Sequence, residues 1–221
     1  MSRLNIYVDQ YVSSQQQRKR LMNQLRCWLR DTVDPEKWGD ENYSDKVILQ
    51  EERLPNDMRE LYGIIASFEK ASAKQMKKAV QDDELWGFLK DIKGIDAKIA
   101  GKLIYYLGDL RNYPTVSHLW SYSGLDGPGW RKRPHNWDVT SLCYVIADSF
   151  IKQRTPHYRD IYDKRKEYEA TKPPCEKCLE QGFEEHCRPG HLNNKARRYM
   201  VKQFLKDAWV YVNKADHQSL E

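Results

Sequence analysis

Apolar residues recur at three- and four-residue intervals along almost the whole chain, and the strict alternation that a sheet requires is scarce. That periodicity predicts an all-α, multihelical fold. Helical signals fall at 14–30, with Leu21, Leu25, Trp28 and Leu29 on one side, and from 56 to 82, where Met58, Leu61, Tyr62, Ile65 and Phe68 form a stripe. Shorter ones follow at 84–92, 97–107 and 116–123. Later come 138–153, a segment opened by Pro156 and closed by Pro173-Pro174, and 193–213. Gly108 suits a helix end, because glycine tolerates the left-handed conformation found there. The stretch 4–8 is the exception and reads as a short strand or an ordered arm. The expected organisation is a basic helical segment at 1–55, a long helical arm at 56–90, a hairpin-bearing domain at 91–172, a cysteine-rich insertion at 173–192 and a closing helix at 193–221.

Composition narrows the function classes. Charged residues make up 31% of the chain and the mean hydropathy is −0.87. No run approaches the roughly 18 apolar residues of a spanning helix. The opening Met1-Ser2-Arg3-Leu4-Asn5 has no apolar core of a secretory signal, so a cytoplasmic location is expected. A net charge of +5 permits nucleic-acid binding without demanding it. Five cysteines and no export signal argue against a disulfide framework. Cys27 and Cys143, alone within helical patterns, are expected to be small buried residues.

The other three cysteines crowd together as Cys175-x2-Cys178-x8-Cys187-x3-His191. Two cysteines with two residues between them converge on one point from a turn, and a Cys/His pair supplies the other half of a tetrahedron. The pattern predicts an inserted zinc knuckle. With three thiolates and an imidazole the coordination is complete, which makes the zinc structural. His186, adjacent to Cys187, is the rival fourth ligand.

A second signal lies at 89–103. Two helical patterns meet at Lys93-Gly94-Ile95-Asp96, where Gly94 can take a positive φ and Asp96 can cap the second helix. Unpaired amides at such a helix start form an anion site, beside which Lys98 and Lys102 share a face. This pattern resembles a helix-hairpin-helix, a motif whose usual role is sequence-independent contact with DNA phosphates. Lys93, Gly94, Ile95, Asp96, Lys98 and Lys102 are therefore candidate DNA contacts; the alternative is an ordinary helical hairpin with a glycine turn. Trp130-Arg131-Lys132-Arg133-Pro134-His135-Asn136-Trp137 interleaves aromatic and cationic side chains, so Arg131, Lys132 and Arg133 join the candidates. The alternative is a loop anchored by its tryptophans with its charges in water. The closing helix has an apolar side (Ala196, Met200, Phe204, Leu205, Ala208, Val212) and a basic one, Lys195, Arg198, Lys202 and Lys206. Arg198 and Lys202 are the candidate contacts there, against simple solvated charges.

With its flanks, the hairpin sequence IKGIDAKIAGKLIYYLGDLRNYPTVSHLWSYSGL at 92–125 is similar to the C-terminal domain of the bridge-RNA-guided insertion-sequence transposases. That family joins a RuvC-like acidic domain to a serine-bearing C-terminal domain. The resemblance extends over 55–213, with the long helix in the place of the family's coiled-coil arm, and it implies DNA as partner, RNA as a second candidate and a mobile element or virus as source. Two departures limit it. The 55 preceding residues cannot hold the acidic domain. The family's catalytic serine follows the Gly-Leu, where this chain reads Asp126-Gly127-Pro128-Gly129-Trp130 after Gly124-Leu125. Ser121 and Ser123 precede it and belong to the short helix. No catalytic residue is assigned, and the DNA-binding half of the resemblance is what carries over. The alternatives are a strand-cleaving recombinase and an adaptor that forms homodimers through the long helix.

Overall fold

The computed structural model describes residues 2–39, 43–126 and 134–218, and every regular element among them is helical. The expected contacts Arg131, Lys132 and Arg133 lie outside the described residues. The chain divides into two compact units, Met1–Ala79 and Val80–Glu221.

The first unit contains α1 (Arg3–Thr32), α2 (Pro35–Gly39), α3 (Asp45–Leu49) and α4 (Asn56–Ala79). Ser2 caps α1 by accepting from the Asn5 amide at 3.2 Å, so the stretch 4–8 is helical, neither strand nor arm. The physical reason is spacing: Leu4, Val8 and Tyr11 are buried four and three residues apart, and so occupy one side of a helix. Further along, Met22, Leu25 and Leu29 form a core with Trp38, Ile48 and Leu54, against which Met58 and Tyr62 of α4 pack. The long helix is thus one member of a pair with α1, and the boundary falls at its end rather than at 55. Arg18 joins the two helices through Glu69 at 2.6 Å and also reaches Asp45 at 2.9 Å. Cys27 is exposed, against expectation: two residues from Leu25, it points to the opposite side of the helix.

The second unit contains α5 (Glu84–Leu89), α6 (Ala97–Leu107), α7 (Val116–Tyr122), α8 (Trp137–Gln153), α9 (Tyr158–Ala170), α10 (Glu176–Leu179) and α11 (Pro189–Gln218). Its axis is α11, which touches α5, α7, α8 and α9. Ala196, Met200, Val201, Phe204, Leu205 and Ala208 are buried along that helix. Phe204 meets Phe150 of α8 edge-on at 5.4 Å and Tyr158 of α9 at 5.6 Å, while Phe150 and Tyr158 stack at 4.7 Å. Cys143 is buried as expected, and burial pushes its thiol up to about 12.

Among the helix bounds that differ from expectation, three in this unit have a local reason. The first hairpin helix stops at Leu89 instead of 92, because the Ile92 amide turns back to the Leu89 carbonyl at 3.2 Å. The helix after Pro156 starts at Tyr158, since Arg154 and His157 both take positive φ, 49° and 65°, and interrupt any earlier turn. The last helix starts four residues early: Pro189, with φ already fixed, is suited to a first helical position.

Replacing Phe204 by alanine should lower the unfolding free energy by about 4 kcal/mol, because the three-ring cluster is broken and a cavity remains. Urea denaturation of the two chains measures it; a decrease below about 1 kcal/mol would mean that α11 is not the axis of the core.

Candidate metal centre

The local backbone explains how four scattered donors meet. Cys175 is the N-cap residue of the one-turn helix α10. Its carbonyl accepts from the Cys178 and Leu179 amides at 2.8 and 3.0 Å, which turns Cys178 back toward Cys175. The Cys178 carbonyl in turn accepts from the Phe183 amide at 3.0 Å. The chain then returns through Cys187, whose Sγ accepts from the Cys175 amide at 3.3 Å. His191 sits in the first turn of α11, with its amide on the Arg188 carbonyl at 2.9 Å. The early start of α11 is therefore what sets the fourth donor.

The ligand atoms of Cys175, Cys178, Cys187 and His191 all lie within 4.8 Å of one another. His191 Nδ1 is 3.4 Å from Cys175 Sγ and 3.3 Å from Cys178 Sγ. Around a tetrahedral ion with bonds of about 2.0–2.3 Å, ligand atoms are roughly 3.3–3.8 Å apart; the two His191 distances fall in that range, and the cluster as a whole, at up to 4.8 Å, is slightly wider. His186 is turned away, with Nδ1 3.0 Å from the Cys187 carbonyl oxygen. Of the two rival histidines, His191 joins the cluster. Cys178 and Cys187 are buried and, with Leu192, form a small core of their own against Cys175 and Phe183.

Charge is arranged around this cluster. Lys195, one turn along α11 from His191, places Nζ 3.5 Å from Cys187 Sγ and 3.2 Å from Glu169. Burial alone would raise the Cys187 thiol, but the Cys175 amide, the two neighbouring thiols and the Lys195 charge together hold it below the usual cysteine value. Burial, reinforced by the charges of Lys195, Arg188 and Arg198, lowers His191, a shift toward the neutral imidazole that binds metal. Glu169, 4% exposed at the end of α9, also receives Arg165 at 2.5 Å and Lys172 at 3.6 Å. Its burial would raise the carboxyl; the Lys195 hydrogen bond and the charges of Arg165, Lys195 and Lys172 outweigh that and lower it. One carboxylate thus ties α9, α11 and the cluster together. The Arg165–Glu169 pair has the i,i+4 spacing visible in any helix, but the sequence carries no signal that Lys195 would reach the same carboxylate.

The other expected contact residues are distributed as follows. α5 and α6 are joined by a bend over 90–96, in which Gly94 takes φ +95°. Asp96 caps α6 by accepting from the Lys98 and Ile99 amides at 3.0 and 2.8 Å. The glycine is needed for a close approach: a Cβ there would stand 2.8 Å from Ser149 Oγ. Ser149 donates to the Gly94 carbonyl at 2.6 Å and Thr155 to the Lys93 carbonyl at 2.7 Å, so the end of α8 holds the bend from behind. Lys93 and Asp96 are exposed, Gly94, Lys98 and Lys102 half-buried, and Ile95 is buried in the core. The Ile95 side chain is therefore a packing residue. Lys152 and Arg154 are exposed on the chain segment that holds the bend, a placement near it that only the tertiary pairing through Ser149 and Thr155 creates. Along α11, Arg198 is half-buried, and Lys202 lies over the Trp120 ring at 4.0 Å while its carbonyl accepts from Trp120 Nε1 at 2.9 Å. Ser123 is buried with its hydroxyl on the Leu119 carbonyl at 2.7 Å, and Ser121 donates to Asp126 at 3.3 Å.

No helix among the described residues is long and apolar enough to cross a membrane. Comparisons with family models, with curated proteins and with solved structures return no match to this chain.

Cys178→Ser and His191→Ala should each lose bound metal and melt at lower temperature, whereas His186→Ala keeps both; elemental analysis with a thermal melt checks this, and metal loss in His186→Ala would reverse the ligand assignment. A second expectation concerns acid. A carboxyl lowered in the folded state stabilises it above the ordinary Glu range near 4.3, and that contribution disappears as pH falls through the folded value. Glu169→Gln should therefore lower stability at neutral pH and flatten its decline below about pH 4.5, as read from denaturation at stepped pH; parallel curves for both chains would remove Glu169 from the account.

Proposed function

We propose that the second unit grips the phosphate backbone of DNA, with the α5–bend–α6 segment acting as a helix-hairpin-helix and the Cys3His cluster as a structural zinc knuckle. The observation that carries the reading is the bend. Its two carbonyls are bound by Ser149 and Thr155, so it is braced on one side. Lys90, Lys93, Lys152 and Arg154 are exposed on the bend and on the segment bracing it. Asp96 takes the Lys98 and Ile99 amides at the start of α6, so the attraction for a polyanion comes chiefly from the cations around the bend, and a braced bend loses little conformational freedom on binding. Phosphate contacts of this kind position a protein without reading bases.

Zinc is the metal favoured by the donor set, because three thiolates and one imidazole suit a borderline-soft ion in a closed tetrahedron. Four protein donors leave no place for a water, which argues for a role in holding Cys175, Cys178, Cys187 and His191 in place, not for hydrolysis. With the resemblance of 92–125 to transposase C-terminal domains, the reading becomes a DNA-binding component of a mobile element or virus.

Fluorescence titration of a labelled duplex at several salt concentrations tests it. Lys93→Glu with Arg154→Glu, and separately Lys98→Glu with Lys102→Glu, should weaken binding alike on unrelated sequences. The slope of log K against log salt should become shallower by about 0.9 for each phosphate that the variant no longer neutralises. An unchanged slope in both double variants, or no binding by the parent chain, contradicts the proposal.

A further inference from the structure

The first unit carries a feature that DNA binding does not use. Along one flank of α4, roughly a quarter turn from the face that packs on α1, Leu61, Ile64 and Phe68 are 48%, 68% and 49% exposed, and Asp57, Ala71 and Gln75 are exposed in line with them. The positions 57, 61, 64, 68, 71 and 75 alternate steps of four and three, the spacing of a coiled-coil seam. This line runs for about 27 Å at 1.5 Å per residue. Scattered exposed apolar residues need no explanation, but three large ones in one seam register mark an interaction surface.

Charge selects the occupant. Exposed acids, Asp57 and Glu60, lie at the N-terminal end of this surface, and exposed bases, Lys74 and Lys78, at its C-terminal end. A second copy laid parallel would set like charge against like. Laid antiparallel, acid meets base at both ends. The seam then closes on itself: Ile64 faces the second copy's Phe68, Leu61 its Ala71 and Asp57 its Gln75, with Glu60 near its Lys74. We propose that two chains pair antiparallel through α4, so that two α1/α4 pairs form a four-helix bundle. Such an interface is two-fold symmetric, with each contact made twice. The inference rests on the first unit alone and stands apart from the DNA reading.

Sedimentation equilibrium of the full chain, from micromolar to hundreds of micromolar, should show a reversible monomer–dimer equilibrium. Ile64→Glu with Phe68→Glu, both on an exposed surface, should keep the circular dichroism and melting point of the parent and weaken the dimer at least about tenfold. Glu60→Lys alone should weaken it, and Glu60→Lys with Lys74→Glu should restore it. Oxidation of the Asp57→Cys, Gln75→Cys double variant should join 57 of one chain to 75 of the other, as mapped by mass spectrometry. A monomer at every concentration, a dimer indifferent to the Ile64/Phe68 change, or 57–57 and 75–75 links instead would overturn the proposal.

Discussion

The last helix buries about half of its circumference at its centre, where Ala196, Met200, Val201, Phe204, Leu205 and Ala208 are all withdrawn from water. A helix with so wide an apolar face cannot be covered by one neighbour. In the second unit α5, α7, α8 and α9 each supply part of the cover, and the ring cluster of Phe150, Tyr158 and Phe204 is where three of these helices meet. The placement of the described candidate functional residues in that unit follows from this packing. The end of α8 is positioned to hold the bend at Gly94 because the rest of α8 is committed to α11.

The metal cluster extends the same helix. His191 and Lys195 belong to the first turns of α11, while Cys175, Cys178 and Cys187 belong to the insertion between α9 and α11. Glu169 at the end of α9 receives Lys195, and Lys195 approaches Cys187. The Cys/His cluster, the ion pairs of Glu169 and core burial therefore meet on one segment. Outer groups of this sort orient ligands and tune their charge. Three thiolates and a neutral imidazole give a divalent ion a net negative site, beside which an ammonium group is electrostatically favourable.

The all-helical class is legible in the periodicity, and the ligand set in the cysteine and histidine spacing, because both depend on local geometry that the chain carries within a few residues. What is not legible depends on contacts between distant segments. The run 4–8 resembles a strand while its burial partners are unknown; Leu4, Val8 and Tyr11 show a helical stripe only once continued into α1. Gly94 suggests backbone approach to a ligand, and the close neighbour is Ser149. Ile95 is a candidate contact by its place in a motif and is a core residue in the fold. Lys202, by spacing part of a basic ridge, lies over Trp120, a pairing across 82 positions that no spacing rule contains.

The central claim is that a polyanion seats on the bend between α5 and α6. Amide hydrogen exchange of the full chain, with and without a duplex of arbitrary sequence, tests it most directly. The account predicts slowed exchange at 93–98 and at 152–155 on addition of DNA, with the buried centre of α11 unchanged. Protection confined to other segments, with exchange at 93–98 unaltered while DNA is bound, would contradict it.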